Sequence, residues 1–126
     1  MKITKEYPGL VLKDYCYEFQ GSIESEAEIV IDLEGRWLKV TGSLTAKTYI
    51  KAGGGIEAGW GIKAGEGILS GLYVRAQKVI KFKYNLWAGT ATWKQPEGED
   101  CEVVALRVDG VVKSGTVRLL ATDKEA

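Results

Sequence analysis

Residues 50–67 read IKAGGG IEAGWG IKAGEG, three successive hexads that each begin with isoleucine and carry alanine two positions later. The rhythm extends in both directions from this stretch. Nine aliphatic residues follow one another at an unbroken spacing of six: Leu38, Leu44, Ile50, Ile56, Ile62, Ile68, Val74, Ile80 and Leu86. The residue two places after each is small in almost every unit: Val40, Ala46, Ala52, Ala58, Ala64, Ser70, Ala76, Phe82 and Ala88. A fixed period of this kind indicates a repeat architecture.

A period of six matches neither the 3.6-residue helix nor a simple long strand. Each hexad predicts a strand of three residues followed by a glycine-rich corner, with the first and third side chains on one face and the second on the other. The chain is therefore predicted to be all-β, a short right-handed parallel β-solenoid with about three hexads per turn. The right-handed form is favoured because the left-handed hexapeptide helix of acyltransferases places its small residue four positions after the aliphatic one.

The remaining sequence is predicted to cap the solenoid within one domain, 1–126. Residues 23–94 form the predicted solenoid, in which a three-residue slip around Asp32–Trp37 interrupts the hexads. Residues 1–22 carry more large side chains and are expected to close one end. Residues 95–126 are expected to form a polar loop and then a β-hairpin that turns at Asp109-Gly110, because Asp-Gly is a strong two-residue turn signal.

The hexads of residues 23–92 resemble those of bactofilins and of the C-terminal β-helix of the division inhibitor MinC. The resemblance lies in the I-x-A-x-x-G rhythm and in the composition. It implies non-catalytic work, either self-assembly into filaments or docking onto a partner. The heavy glycine run and the predicted C-terminal hairpin depart from the bactofilin pattern.

The residue inventory predicts that the protein is not an enzyme and uses no cofactor and no metal. The chain contains no histidine, which removes the usual proton shuttle and most zinc sites. GxGxxA matches at Gly53–Ala58 and Gly59–Ala64 lack the strand-to-helix context of a dinucleotide site and recur only because the hexad recurs. Glu57 and Glu66 are isolated acids, for which a salt-bridge role is the simpler interpretation.

Two cysteines lie far apart in the sequence, at positions 16 and 101. They are predicted to be free thiols rather than a bridge. No run of apolar residues is long enough for a membrane span, and the N-terminal residues lack a secretory signal, so a cytoplasmic location is expected.

Charge is distributed unevenly although the net charge is zero. Residues 1–34 hold eight acids and three lysines (net −5), residues 35–95 hold ten bases and two acids (net +8), and residues 96–126 hold seven acids and four bases (net −3). The middle of the chain is therefore basic and its ends are acidic. Like-charged ends would repel one another, which favours a monomer or a small closed homo-oligomer over a filament.

An eighteen-residue turn would stack outward side chains from successive rungs. The predicted stacks are Lys51–Leu69–Trp87, Glu57–Arg75–Trp93 and Thr45–Lys63–Lys81, with Trp60 beside Lys78 and Thr48, Glu66 and Tyr84 in line. Tryptophan, tyrosine and arginine are enriched at interface hot spots. The predicted partner-binding residues, expected on one basic wall, are Trp60, Lys63, Arg75, Lys78, Lys81, Trp87 and Trp93.

These observations predict a protein-binding module that occupies an acidic surface of a protein or nucleoprotein partner. Small phage-type inhibitors of host or defence complexes, such as CRISPR effectors, work in this way. A self-assembling bactofilin-like scaffold and a nucleic-acid or polysaccharide binder are the alternatives.

Overall fold

The computed structural model describes residues 1–14, 16–91, 95 and 97–120. Nearly every regular element in them is a short strand. The first eight strands are β1 (Lys2–Thr4), β2 (Val11–Lys13), β3 (Cys16–Phe19), β4 (Ile23–Ser25), β5 (Ile29–Asp32), β6 (Trp37–Val40), β7 (Leu44–Ala46) and β8 (Ile50–Ala52). They are followed by β9 (Ile56–Ala58), β10 (Gly61–Ala64), β11 (Ile68–Ser70), β12 (Val74–Ala76), β13 (Val79–Trp87), β14 (Glu102–Ala105), β15 (Arg107–Ser114) and β16 (Thr116–Leu119).

The strands form a parallel β-solenoid of about six turns, which confirms the predicted fold class. Three stacks of strands surround the core, and we name each by its outward side chains. The lysine face comprises β4, β7, β10 and the first halves of β13 and β15. The tryptophan face comprises β1, β5, β8, β11 and the second halves of β13 and β15. The arginine face comprises β3, β6, β9, β12, β14 and β16, with β2 antiparallel to β3.

The core consists of the first and third residues of each hexad, as the pleat requires. Ile50, Ile56 and Ile62 have no solvent-exposed surface, and the alanines two places after them are also buried. Burying a side chain of this size stabilises the fold by roughly 1.5–3 kcal/mol. The predicted inward orientation of the hexad aliphatic residues is therefore confirmed.

Glycine is required at corners where one rung lies almost against the next. A Cβ atom at Gly65 would overlap the carbonyl oxygen of Lys47, and one at Gly59 would overlap that of Thr41. The amide N–H of Gly65 donates to the carbonyl oxygen of Ala46 over 3.1 Å, which locks these corners together. The glycine-rich half of each hexad thus allows the rungs to stack in close contact.

The predicted register is confirmed in the central rungs. Lys51 pairs with Leu69 and Leu69 with Trp87, each eighteen residues further on. The spacing rises to twenty-one between Val30 and Lys51. The three-residue slip lies where it was expected, at a corner after β5 where Glu34 has a positive φ of 56°. The right-handed sense of the solenoid stays a prediction.

The C-terminal region differs from the predicted hairpin. β15 continues through Asp109 and Gly110 and pairs in parallel with β13, while β16 pairs in parallel with β14. Gly110 has a φ of +146° and packs against the ring of Phe82 at the corner between the lysine and tryptophan faces. The Asp-Gly pair bends the strand here instead of reversing it, because the exposed edge of β13 offers backbone partners on both sides of the bend.

The predicted boundaries of the N-terminal cap (1–22), the solenoid (23–94) and the C-terminal cap (95–126) therefore change. β1 and β3 already form rungs at the N-terminal end, and β14, β15 and β16 add rungs after the segment 88–101 that interrupts the repeat. The predicted N-terminal cap is partly right, since Tyr7, Leu10 and Phe19 pack against the end of the core.

Helical structure in the described residues is limited to a 3₁₀ turn at Gly98–Cys101. No helix there is long and apolar enough to cross a membrane. Cys16 and Cys101 are both free thiols, as predicted. Burial raises the pKa of the Cys16 thiol above its ordinary value, so this thiol is not activated as a nucleophile.

Candidate interaction surface

The lysine face presents two stacked cations at its centre. β10 buries Ile62 and Ala64, so that Lys63 between them points outward. Lys63 pairs in register with Thr45 on one side and with Lys81 on the other. Neighbouring strands lie about 4.8 Å apart, so the two lysines are held side by side. Neither ammonium group has a carboxylate within ion-pair distance in the described part of the chain.

Trp60 occupies the corner that leads from the arginine face into the lysine face. Its N–H donates to the carbonyl oxygen of Gly42 over 3.0 Å, and its own carbonyl accepts from the N–H of Lys78 over 2.8 Å. The indole is 58% exposed. The Lys78 Nζ lies 5.1 Å from the centroid of the indole, within cation–π range. The predicted pairing of Trp60 with Lys78 is therefore confirmed.

A depression of about 230 Å³ lies between Trp60 and the stacked lysines. Every charged side chain in its lining is cationic, and two hydroxyl groups add hydrogen-bonding capacity. The lining consists of Ser43, Thr45, Trp60, Gly61, Ile62, Lys63, Val79, Lys81 and Arg107. Such a lining suits an anionic group of modest size.

Arg107 belongs to this surface although the sequence did not predict it. Arg107 in β15 pairs in register with Val79 in β13, and Val79 in turn pairs with Gly61 in β10. The Nε atom of Arg107 lies 3.1 Å from Asp109 Oδ2. The hexad rhythm ends at Leu86, so the register of β15 could not be counted forward along the sequence. The alternation in RVDGVV is typical of a strand. Because the segment 88–101 interrupts the count of hexads, the sequence does not indicate which stack this strand joins.

The opposite border of the lysine face also carries an aromatic side chain. Tyr84 is more than half exposed, and the Lys83 Nζ lies 5.3 Å from the centroid of its ring. The amide N–H of Tyr84 donates to the carbonyl oxygen of Glu66, whose own N–H donates to Thr48. The predicted alignment of these three residues is confirmed, and the lysine face is bounded by aromatics on both sides.

Arg75 lies on the arginine face and not beside the stacked lysines. It pairs in register with Glu57, as predicted, but its guanidinium carbon lies 3.9 Å from the centroid of the Tyr73 ring. Its Nη2 lies 3.9 Å from Glu102 and 4.0 Å from Glu99. The charge of Arg75 is therefore matched by acids of its own chain.

Trp87 lies on the third side, the tryptophan face, next to Leu69. Val104 is in register with Arg75 in the next rung. Trp93, which was predicted to stack on Arg75, lies outside the described residues. The expectation of one continuous basic wall is therefore wrong. Trp60, Lys63, Lys78 and Lys81 come together, whereas Arg75 and Trp87 occupy other faces.

The arginine face carries a second cavity whose lining holds both acidic and basic side chains. This cavity measures about 490 Å³, and its charged lining consists of Glu57, Glu99, Glu102, Lys39, Arg75 and Arg118. Glu66 lies at the corner between the lysine and tryptophan faces. In the part of the chain that the structure describes, no group of three or more histidine, cysteine or acidic side chains could hold a metal ion.

No protein-family model, no curated protein and no solved structure matches this chain. The β-solenoid is therefore established by the structure itself, and the likeness to bactofilins and MinC stays at the level of the repeat.

Proposed function

We propose that this protein is a non-catalytic binding module that docks its lysine face onto an acidic surface of a protein or nucleoprotein partner. One observation carries the proposal. Lys63 and Lys81 are held side by side, and neither has a carboxylate within ion-pair distance among the described residues. Asp109, which is in register with Lys81 in the next rung, is paired with Arg107. The exposed indole of Trp60 lies next to the two lysines.

Two like charges on adjacent strands destabilise a sheet when nothing offsets them. An anionic group of a partner would relieve this repulsion and gain two charge-assisted hydrogen bonds. The fixed backbone of the solenoid keeps both lysines on one side, so no backbone has to be ordered on binding.

Trp60 gives the same face an apolar anchor. A large aromatic ring beside charged groups is the usual composition of an interface hot spot. Charge attraction would raise the rate of encounter, and the indole would lengthen the lifetime of the complex.

The mode of action that fits this surface is steric occupation of a partner. A phage-type inhibitor of a host or defence complex, such as a CRISPR effector, would act in this way in the cytoplasm.

Nucleic-acid binding is the second candidate, and one observation favours it. Trp60 and Tyr84 are exposed on either side of the lysines. Proteins that bind single-stranded nucleic acids stack bases on such aromatic rings and contact the phosphates with neighbouring cations. The two candidates share the face and differ in the partner.

Site-specific photo-crosslinking in the source cells tests the proposal. A benzophenone amino acid is placed at position 60 on the lysine side or at position 87 on the tryptophan face, since both positions carry exposed tryptophans. We expect position 60 to capture a partner protein that position 87 does not. Capture should be lost in Lys63→Glu/Lys81→Glu and retained in the matched control Lys2→Glu/Lys51→Glu, which makes the same charge change on the tryptophan face.

Equal capture from both positions, or capture that survives Lys63→Glu/Lys81→Glu, would refute the assignment of this face. A crosslinked species that nuclease removes would replace the protein-partner proposal with the nucleic-acid candidate. The nucleic-acid candidate is tested independently by fluorescence anisotropy, which measures the binding of a labelled 20-nucleotide single strand to the wild type and to both double variants.

A further inference from the structure

One column of outward side chains runs along the solenoid axis on the lysine face. Successive rungs contribute Glu24, Thr45, Lys63, Lys81 and Asp109, each in register with the next. Neighbouring rungs lie about 4.8 Å apart, so the two acids are about 19 Å apart and the two lysines lie between them. The cations of this column are therefore bounded by an acid at each end.

The bounding acids restrict the kind of anion that the column can bind. A polyanion laid along the axis would bring negative charge against Glu24, which has no ion pair among the described residues. A compact anion over Lys63 and Lys81 instead stays roughly 10 Å from Glu24, a distance at which salt screens most of the repulsion. At the other end, Asp109 is already paired with Arg107. The column therefore favours one compact anionic group.

Two hydroxyl groups lie beside the lysines. Ser43 and Thr45 both line the depression next to Trp60, and neither hydroxyl makes a hydrogen bond to another described residue. Thr45 is in register with Lys63, which places the two side chains next to each other on the same face. A bound anion can therefore accept hydrogen bonds from hydroxyl groups as well as from ammonium groups.

The charge of this depression matches that of a dianion. Its charged lining consists of Lys63, Lys81 and Arg107, and Asp109 offsets one of these charges through its 3.1 Å contact with Arg107. Two positive charges remain. A carboxylate or an internal phosphodiester carries one negative charge, whereas a phosphate monoester carries about 1.5–2 at pH 7 and presents three strong acceptor oxygens. A phosphate monoester thus balances the depression and uses its donors.

We infer that this depression binds the phosphoryl group of a phosphorylated side chain on the partner protein. The inference rests on the proposed function, which supplies the protein that carries the group. Lys63 and Lys81 each donate to one phosphoryl oxygen, and the hydroxyl of Thr45 donates to the third. The exposed indole of Trp60, at the edge of the same depression, packs against the residue that bears the group.

Nuclear magnetic resonance titration of the full chain tests the ligand class. The probes are capped pentapeptides with four glycines around one central residue, which is phosphoserine, glutamate or serine, and a thymidine dinucleotide with a single phosphodiester. We expect the phosphoserine peptide to bind with a dissociation constant at least ~10-fold lower than those of the glutamate peptide and the dinucleotide, because it carries a second negative charge. The serine peptide should not bind measurably. Equal affinities for the three anionic probes would overturn the inference.

A pair of double variants separates this depression from general charge attraction. Lys63→Gln/Lys81→Gln should weaken binding of the phosphoserine peptide at least ~10-fold, because both ammonium donors are lost. The matched control Lys2→Gln/Lys51→Gln removes the same charge from the tryptophan face, and it should change the affinity by less than about twofold. Similar losses in the two double variants would show that the peptide senses only the net charge.

The hydroxyl of Thr45 provides a test that does not alter charge. Thr45→Val keeps the branched shape of the side chain and removes the donor, so we expect the phosphoserine peptide to bind about fivefold more weakly. Thr48→Val is the matched control, since Thr48 lies at the other corner of the face and outside this depression. An unchanged affinity in Thr45→Val would contradict the assigned geometry.

Phosphatase treatment separates this inference from the proposed function. Crosslinking from position 60 is repeated in lysate with and without phosphatase, and we expect the enzyme to abolish capture of the partner protein. Capture that persists after phosphatase would refute the phosphoryl site and leave docking of the lysine face intact. Selective binding of the phosphoserine peptide without any captured protein would support the phosphoryl site and refute protein docking. Tighter binding of the dinucleotide than of the phosphoserine peptide would assign the site to nucleic acid instead.

Discussion

Arg75 lies directly beside Glu57 in the next rung, and it stacks its guanidinium 3.9 Å from the centroid of the Tyr73 ring. The same guanidinium reaches Glu102 and Glu99 at 3.9 and 4.0 Å. The cation–π contact and the two nearby acids offset the charge of this partly buried arginine, although its Nε is buried without a hydrogen-bond partner among the described residues. Arg75 is therefore a structural residue of the arginine face.

Arg75→Ala is expected to lower the free energy of unfolding by about 1–2 kcal/mol, because the cation–π contact and the packing of the side-chain stem are lost. Lys39→Ala, on the same face two rungs earlier, should change it by less than about 0.5 kcal/mol. Urea unfolding followed by circular dichroism measures both. If the two variants unfold at the same urea concentration, Arg75 does not have the assigned role.

Ile62→Asp is expected to abolish folding. Ile62 is completely buried, and an unpartnered carboxyl group there, together with the lost isoleucine packing, would cost an amount comparable to the roughly 5–15 kcal/mol that stabilises a small domain. The neighbouring change Lys63→Asp, on the outward side of the same strand, should leave the chain folded. Far-UV circular dichroism distinguishes the two, and a folded Ile62→Asp protein would contradict the inward orientation of the hexad isoleucines.

Gly65→Ala is expected to destabilise the protein by about 1–3 kcal/mol, because the added Cβ meets the Lys47 carbonyl oxygen of the previous rung. Gly53→Ala is the matched control, since a Cβ built there meets nothing within 4 Å. Its effect should lie within about 1 kcal/mol of the wild type. Equal thermal shifts for the two alanine variants would show that close rung contact does not select glycine at these corners.

Alkaline pH is expected to unfold the protein through Tyr73. Burial raises the pKa of this phenol above its ordinary value of 10.0. The unfolded chain loses the proton near pH 10 while the folded chain keeps it, so the unfolded state binds fewer protons above that pH. The free energy of unfolding should then fall by up to about 1.4 kcal/mol per pH unit.

Tyr73→Phe keeps the ring under Arg75 and removes the titrating hydroxyl. Its unfolding free energy, measured in urea between pH 9 and pH 11, should fall less steeply than that of the wild type, because the hydroxyl whose pKa is raised by burial is gone. Identical slopes in the two proteins would show that Tyr73 does not control the alkaline limit.

The sequence by itself determined the central rungs. Equal spacing of six places every third hexad on the same face, so counting alone predicts that Lys63 lies beside Lys81 and Trp60 beside Lys78. It also predicts which side chains enter the core, because the strand pleat alternates them. These relationships are local consequences of period, and no knowledge of distant residues is needed to derive them.

Only the tertiary structure decided the end of the chain and the grouping of its charges. The segment 88–101 breaks the count, so the position of Arg107 beside the lysine face follows from the free edge of β13 and not from spacing. Asp109-Gly110 is compatible with a hairpin or with a corner, and that same edge selects the corner by pairing the backbone on both sides of it. Arg75 likewise contacts Tyr73, and it lies within 4.0 Å of Glu99 and Glu102, which follow the segment 88–97 in the sequence. The hexad spacing does not predict these contacts.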